Sequence, residues 1–216
     1  MKKTEFTKTA IINSTVKLLK ANGKVTIKEI SDDAGVNIAA INYHFTDKKS
    51  LISVVIRRTI SDFKKIADNL VANLAELNTH PEETISAFFN ACHEYCAENI
   101  NVINFMLAPE NVEYNNYFNK TVSQMFSTDS DLCFKVISYM RATSAASDNE
   151  LKARYLVLLS TFLTPFFSTF NILNGNHFGQ IFNLNDQEFK KLYIEQIVRI
   201  TVSYTHLRAH ETSQDL

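Results

Sequence analysis

The chain has 216 residues, enough for one large domain or two small ones, and 45% of them are hydrophobic, which suffices for a core. Only four glycines and three prolines leave long uninterrupted stretches, which argues for an all-helical protein and excludes a phosphate-cradling glycine loop. The net charge of −1 is unevenly spread: residues 1–65 hold 13 Lys and Arg against 6 Asp and Glu, and the rest hold 9 against 17, so a basic head precedes an acidic body.

The first helix, about Thr4 to Ala21, places Ile11, Ile12, Thr15, Leu18 and Leu19 at helical spacing, and Asn22-Gly23 closes it. Thr26 and Glu29 form a T-x-x-E capping box that starts a second helix. Its apolar stripe is Ile27, Ile30 and Ala34, while Lys28, Asp32 and Asp33 stay wet. Gly35 stands where the chain must turn at positive φ, Val36 plugs the gap, and Asn37 is a good N-cap for a third helix from Ile38 to His44. Ala39 and Ala40 would let that helix approach base edges, Asn42 can pair with a base or a phosphate, and Tyr43 and His44 can reach phosphate oxygens. Phe45 anchors inward. Thr46 or Asp47 caps a fourth helix, whose first N–H groups, with Lys48 and Lys49, make a second phosphate site. The unit reads as a helix-turn-helix; the plainer alternative is an αα-hairpin in a helical protein.

The string A-G-V-x-x-x-x-I-x-Y-H-F-x-x-K-x-x-L, from Ala34 to Leu51, resembles the tetracycline-repressor (TetR) family of bacterial transcriptional regulators. The resemblance is close over residues 4 to about 64 and only architectural beyond. It implies a three-helix DNA-binding head on a larger helical domain that binds an effector and dimerises. Carried over by motif, Thr26, Tyr43, His44 and Lys48 fall at backbone-contacting positions, and Asn37, Ile38, Ala39, Ala40 and Asn42 fall on the recognition helix. Lys28 and Thr46 complete the expected DNA-contact set. Asn42 replaces the first Tyr of a common Tyr-Tyr-His-Phe run and Ile38 replaces a polar residue, so base preference does not carry over.

The fourth helix is expected from about Asp47 to Glu76, a rod of roughly 45 Å linking a DNA-binding domain at residues 1–50 to an effector-binding and dimerisation domain at 51–202. Pro81-Glu82-Glu83 and Pro109-Glu110 mark further helix starts. Residues 127–131 and 142–149 read as loops. Ser147-x-x-Glu150 opens a helix to about Leu173, stopped by Asn174-Gly175-Asn176, and Asn185-x-x-Glu188 opens the last, to about Val202. The count is about nine helices, as usual in the resembled family.

Thirteen of the 16 phenylalanines lie between Phe88 and Phe189. Most such aromatics are core. Phe88, Tyr95, Phe105, Met106, Tyr117, Phe118, Phe126 and Tyr139 are the candidate walls of an effector pocket, and their character favours a small hydrophobic ligand. The helix from 151 is apolar on nearly every face and so must be buried all round. With the last helix it is the expected seam of a homodimer, through Leu159, Leu163, Phe167 and Ile197, as the resemblance also implies. Pro165 interrupts the first of these helices.

Cys92 and Cys96 share a helix face, as a redox pair or half a metal site would, but free cysteine is among the most buried residue types, and with Cys133 they do not form a secreted framework. No signal peptide and no membrane-spanning run is read, so the expected location is cytoplasmic. The partners expected are a double-stranded DNA operator, a second copy and an unidentified small-molecule effector, without a membrane. No cofactor, metal site or catalytic residue is assigned. The rival readings are a helical-bundle enzyme and a DNA-binding protein without an effector; against the first, no Glu-x-x-His pair, H-E-x-x-H or G-x-S-x-G occurs. Residues 203–216, SYTHLRAHETSQDL, do not follow from what precedes them and read as a foreign appended tail, despite His206 and His210 at metal-chelating spacing.

Overall fold

The local rules that predicted the first three helices also place them in the computed structural model, which describes residues 2–169 and 186–211. Helix α1 spans Lys2–Asn22, α2 Ile27–Ala34, α3 Ile38–Phe45 and α4 Lys48–Ala72. Next come α5 (Pro81–Glu98), α6 (Ile100–Leu107), α7 (Val112–Phe126), α8 (Asp131–Thr143), α9 (Asp148–Thr169) and α10 (Gln187–Glu211), with 3₁₀ turns at Leu74–Asn78 and Pro109–Asn111. No strand occurs among the described residues, so the class is all-α.

Several boundaries differ from expectation, each for a local reason. Helix α4 ends at Ala72, short of Glu76, because Asn73 turns its own side chain back: its Nδ2 donates to the Asn69 carbonyl at 2.8 Å, and the next turn tightens to 3₁₀. The helix beginning at Pro81 is parted from α6 at Asn99, whose φ of −110° and ψ of 11° are not helical. The box at the start of α9 is half made: Ser147 Oγ accepts from the Glu150 N–H at 3.4 Å, while the Glu150 carboxylate reaches forward to Arg154 at 2.6 Å. Helix α10 is capped by Asp186, which accepts from the Glu188 and Phe189 N–H groups at 2.9 and 3.1 Å. Asn185, expected to open it, and the Asn174–Asn176 stop lie outside the described residues. Helix α10 runs past Val202 to Glu211, since no Gly or Pro in that stretch stops it.

The chain sorts into two compact units, Met1–Phe63 with Cys96–Thr121, and Lys64–Tyr95 with Val122–Leu216. The first has a core of Ile11, Leu19, Ile30, Ile41, Leu51, Ile52, Val55 and Ile56 together with Val102, Ile103 and Met106. Residues 96–121 therefore help to build the unit that holds the helix-turn-helix, which nothing local in the sequence announces. Asn101 caps the end of α1, its Nδ2 donating to the carbonyls of Lys20 and Ala21 at 2.8 and 3.3 Å. Gly23 closes α1 at φ 68°, and its N–H bonds the Leu19 carbonyl at 2.9 Å.

The second unit centres on Ile85, Phe89, Cys92, Cys133, Val136, Leu151, Tyr155, Phe162, Ile194 and Ile197. The Phe88 and Phe162 rings meet edge to face at 4.9 Å, and the Tyr193 hydroxyl donates to the Thr161 carbonyl at 2.5 Å, tying α10 to α9. Cys92 and Cys133 are buried in this core, and in the first unit burial pushes the Cys96 thiol up to about 12. Helix α9 is not covered all round in the single chain: Leu156 and Val157 stay exposed, as does Leu192 on α10.

Candidate nucleic-acid interface

The site begins with the box that starts α2. Thr26 Oγ1 accepts from the Glu29 N–H at 3.2 Å, and the Glu29 carboxylate accepts from the Thr26 N–H and hydroxyl at 2.7 and 2.8 Å. Those bonds from Thr26, with Lys24 and Lys48 nearby, hold the Glu29 carboxyl below its ordinary range. Both donors of Thr26 are thus engaged within the box.

Helix α2 ends in a Schellman motif. Gly35 adopts φ 64°, ψ 33°; its N–H bonds the Asp32 carbonyl at 3.4 Å, and the Val36 N–H bonds the Ser31 carbonyl at 3.1 Å. Ser31 Oγ donates to the Val36 carbonyl at 2.6 Å and clamps the turn. From the other side, Asp33 accepts from Ser14 at 2.7 Å and from Lys17 at 2.5 Å, which fixes α2 on α1 and lowers the Asp33 pKa, Lys17 contributing most.

Asn37 Oδ1 accepts from the Ala40 N–H at 2.7 Å and caps α3. Ile41 and Phe45 are buried, so α3 presents Ile38, Ala39, Asn42 and Tyr43 outward, with Ala40 and His44 half-buried. Tyr43 is 79% exposed, large for an aromatic, and the His44 ring meets it edge-on at 5.2 Å. An exposed face of small, amide and aromatic groups has the chemistry to meet base edges and phosphates.

The link to α4 is a γ-turn of the rare positive-φ form: Thr46 has φ 55°, ψ −52°, and the Asp47 N–H bonds the Phe45 carbonyl. The backbone of this β-branched residue stores about 1–3 kcal/mol, held by the helices on either side. Asp47, not Thr46, caps α4, accepting from the Ser50 N–H at 2.7 Å, and this bond lowers its carboxyl pKa. The first amides of α4 therefore already carry a carboxylate. Lys48 is exposed without an ion pair among the described residues. Lys49 is not equivalent: its ammonium contacts the Glu113 carboxylate, which raises its pKa, and the Tyr114 hydroxyl reaches the Lys49 carbonyl at 3.5 Å. These contacts, and Arg57 over the Tyr117 ring at 5.7 Å, join residues more than 50 positions apart and have no sequence signal.

The remaining candidates are placed differently. Of the aromatic set, Phe105, Met106, Tyr117 and Phe118 belong to the first unit and Phe88, Tyr95, Phe126 and Tyr139 to the second. Met106 is 1% exposed and is core. Phe88 lines a cavity of about 450 Å³ in the second unit, with Ile66, Leu70, Ala87 and Ala91 as its apolar part and Glu76, His80 and Glu83 among its polar groups. Among the expected seam residues, Leu159 and Leu163 are half-buried. Ile197 is buried within the single chain, at 1% exposure. The Phe167 side chain lies outside the described residues.

Among the described residues no helix is long and apolar enough to cross a membrane. No curated protein matches the chain. Residues 11–55, from α1 through the turn and α3 into the start of α4, match the family model of the bacterial regulatory proteins of the tetR family. That match lies across the helix-turn-helix just described, so residues 11–55 form a DNA-binding head of the type found in the tetR family of bacterial transcriptional regulators.

Proposed function

We propose that the protein is an effector-responsive repressor, released from its operator by a small hydrophobic ligand. The observation that carries the DNA-contact assignment is the outward face of α3, where Tyr43 stands 79% exposed beside Asn42, with Lys28 on α2 and Lys48 on α4 also exposed. In this reading Ile38, Ala39, Ala40 and Asn42 face base edges, and Lys28, Tyr43, His44, Thr46 and Lys48 face phosphates. Thr26 and Asn37 shape the helix starts through their side-chain oxygens, which accept from the Glu29 and Ala40 N–H groups. The DNA-binding domain is residues 1–50, and residues 51–202 bind the effector and dimerise. Two heads then read half-sites about one helical turn, or a multiple, apart. The cavity beside Phe88, near 450 Å³ and partly apolar, falls in the size range of small-ligand sites and supports the effector assignment.

Fluorescence titration of the full chain with duplex DNA tests the contact assignment. Tyr43→Ala and Lys48→Ala are each expected to weaken binding to every duplex alike, and Lys48→Ala to lower the slope of log affinity against log salt by about one. A loss confined to one base position, with the salt slope intact, would contradict a phosphate role.

A further inference from the structure

We propose that Glu113 and a DNA phosphate compete for Lys49, so that the first turns of α7 act as an electrostatic brake on DNA binding; this rests on the DNA-contact reading above. Glu113 and Tyr114 are adjacent on α7, and both hold Lys49: the carboxylate takes its ammonium and the Tyr114 hydroxyl reaches its carbonyl at 3.5 Å. One helical turn further along α7, Tyr117 lies under Arg57 of α4 at 5.7 Å. Helix α7 thus touches the first half of α4 at two points and engages a cation at each, while neighbouring Lys48 has no ion pair among the described residues.

The Lys49–Glu113 pair is not a core element. Its side chains are 60% and 61% exposed, and pairs so exposed add little to stability. Its effect falls on binding. A carboxylate and a phosphate make the same charge-assisted hydrogen bond to an ammonium, so DNA must displace Glu113 to gain Lys49. A cation already neutralised within the protein has no place in the counterion release that drives association.

The test uses the full chain and a fluorescein-labelled mixed-sequence duplex of about 30 bp, which reads phosphate contacts without knowledge of an operator, at salt from about 50 to 200 mM. Glu113→Gln is expected to bind several-fold tighter at the low-salt end, with a slope steeper by about one. Lys49→Gln alone should change little. In the Lys49→Gln background, Glu113→Gln should gain no more than Glu110→Gln does in the wild type, which measures the effect of removing any one acidic charge from this segment. The brake is overturned if Glu113→Gln gains no more than Glu110→Gln, or gains as much without Lys49. A wild-type chain that binds no duplex at low salt would overturn the DNA-contact reading itself, and this inference with it.

Discussion

Gly35 separates backbone cost from packing cost. Its φ of 64° lies where a Cβ clashes with the following carbonyl, at a penalty of about 1–2 kcal/mol for an L residue. A Cβ built there meets nothing within 4 Å, so no packing term adds to that penalty. Alanine also restricts the unfolded chain, which offsets about 0.4–1 kcal/mol. Gly35→Ala should therefore destabilise by about 1 kcal/mol, Gly35→Asn by a few tenths because Asn tolerates this conformation, and Gly35→Val by more than about 2. Urea unfolding followed by circular dichroism, with a slope of about 1–3 kcal/mol per molar, would place the Ala midpoint about 0.3–1 M below wild type. An Ala variant at or above the wild-type midpoint, or an Asn variant as damaged as the Val one, would refute the reasoning, because it would mean that the turn does not require positive φ.

The Asp33 carboxyl is held below its ordinary 3.8 by Lys17 and Ser14, so its contribution to stability is present above that value and is lost as pH falls through the lowered one. Melting temperature should consequently fall less steeply below about pH 4 in Asp33→Asn than in the wild type; parallel acid limbs would contradict this. If α9 and α10 form a homodimer seam, Leu156→Glu and Leu192→Glu should yield folded monomers in sedimentation, whereas the buried Ile197→Glu should lower the melting temperature instead; a wild-type chain that is monomeric at micromolar concentration would remove the seam. An effector that releases the operator must bind less tightly in the presence of operator by the same factor, a coupling of typically about 1–3 kcal/mol. Paired titrations with and without DNA measure both factors, and a ligand that stabilises the protein yet leaves operator affinity unchanged would argue for a scaffold rather than a switch.

The helix-turn-helix was legible from residues a few positions apart. The Thr26–Glu29 box, the left-handed Gly35, the Asn37 cap and the inward Ile41 and Phe45 each follow from bonds that close within one or two turns. Such bonds depend on sequence neighbours, so the sequence states them directly. It was less informative where two neighbours compete for one role: Asp186 stands beside Asn185, and Asn73 ends α4 by bonding its own helix. Only the tertiary structure decided that residues 96–121 join the unit of the DNA-binding helices, that Asn101 closes a helix 80 residues upstream, that Glu113 faces Lys49 and that Ile197 points inward. An apolar stripe says that a face is covered but not by what, and an exposed charge carries no periodicity that names its partner; both are settled by which helices meet, and that depends on packing across the whole chain.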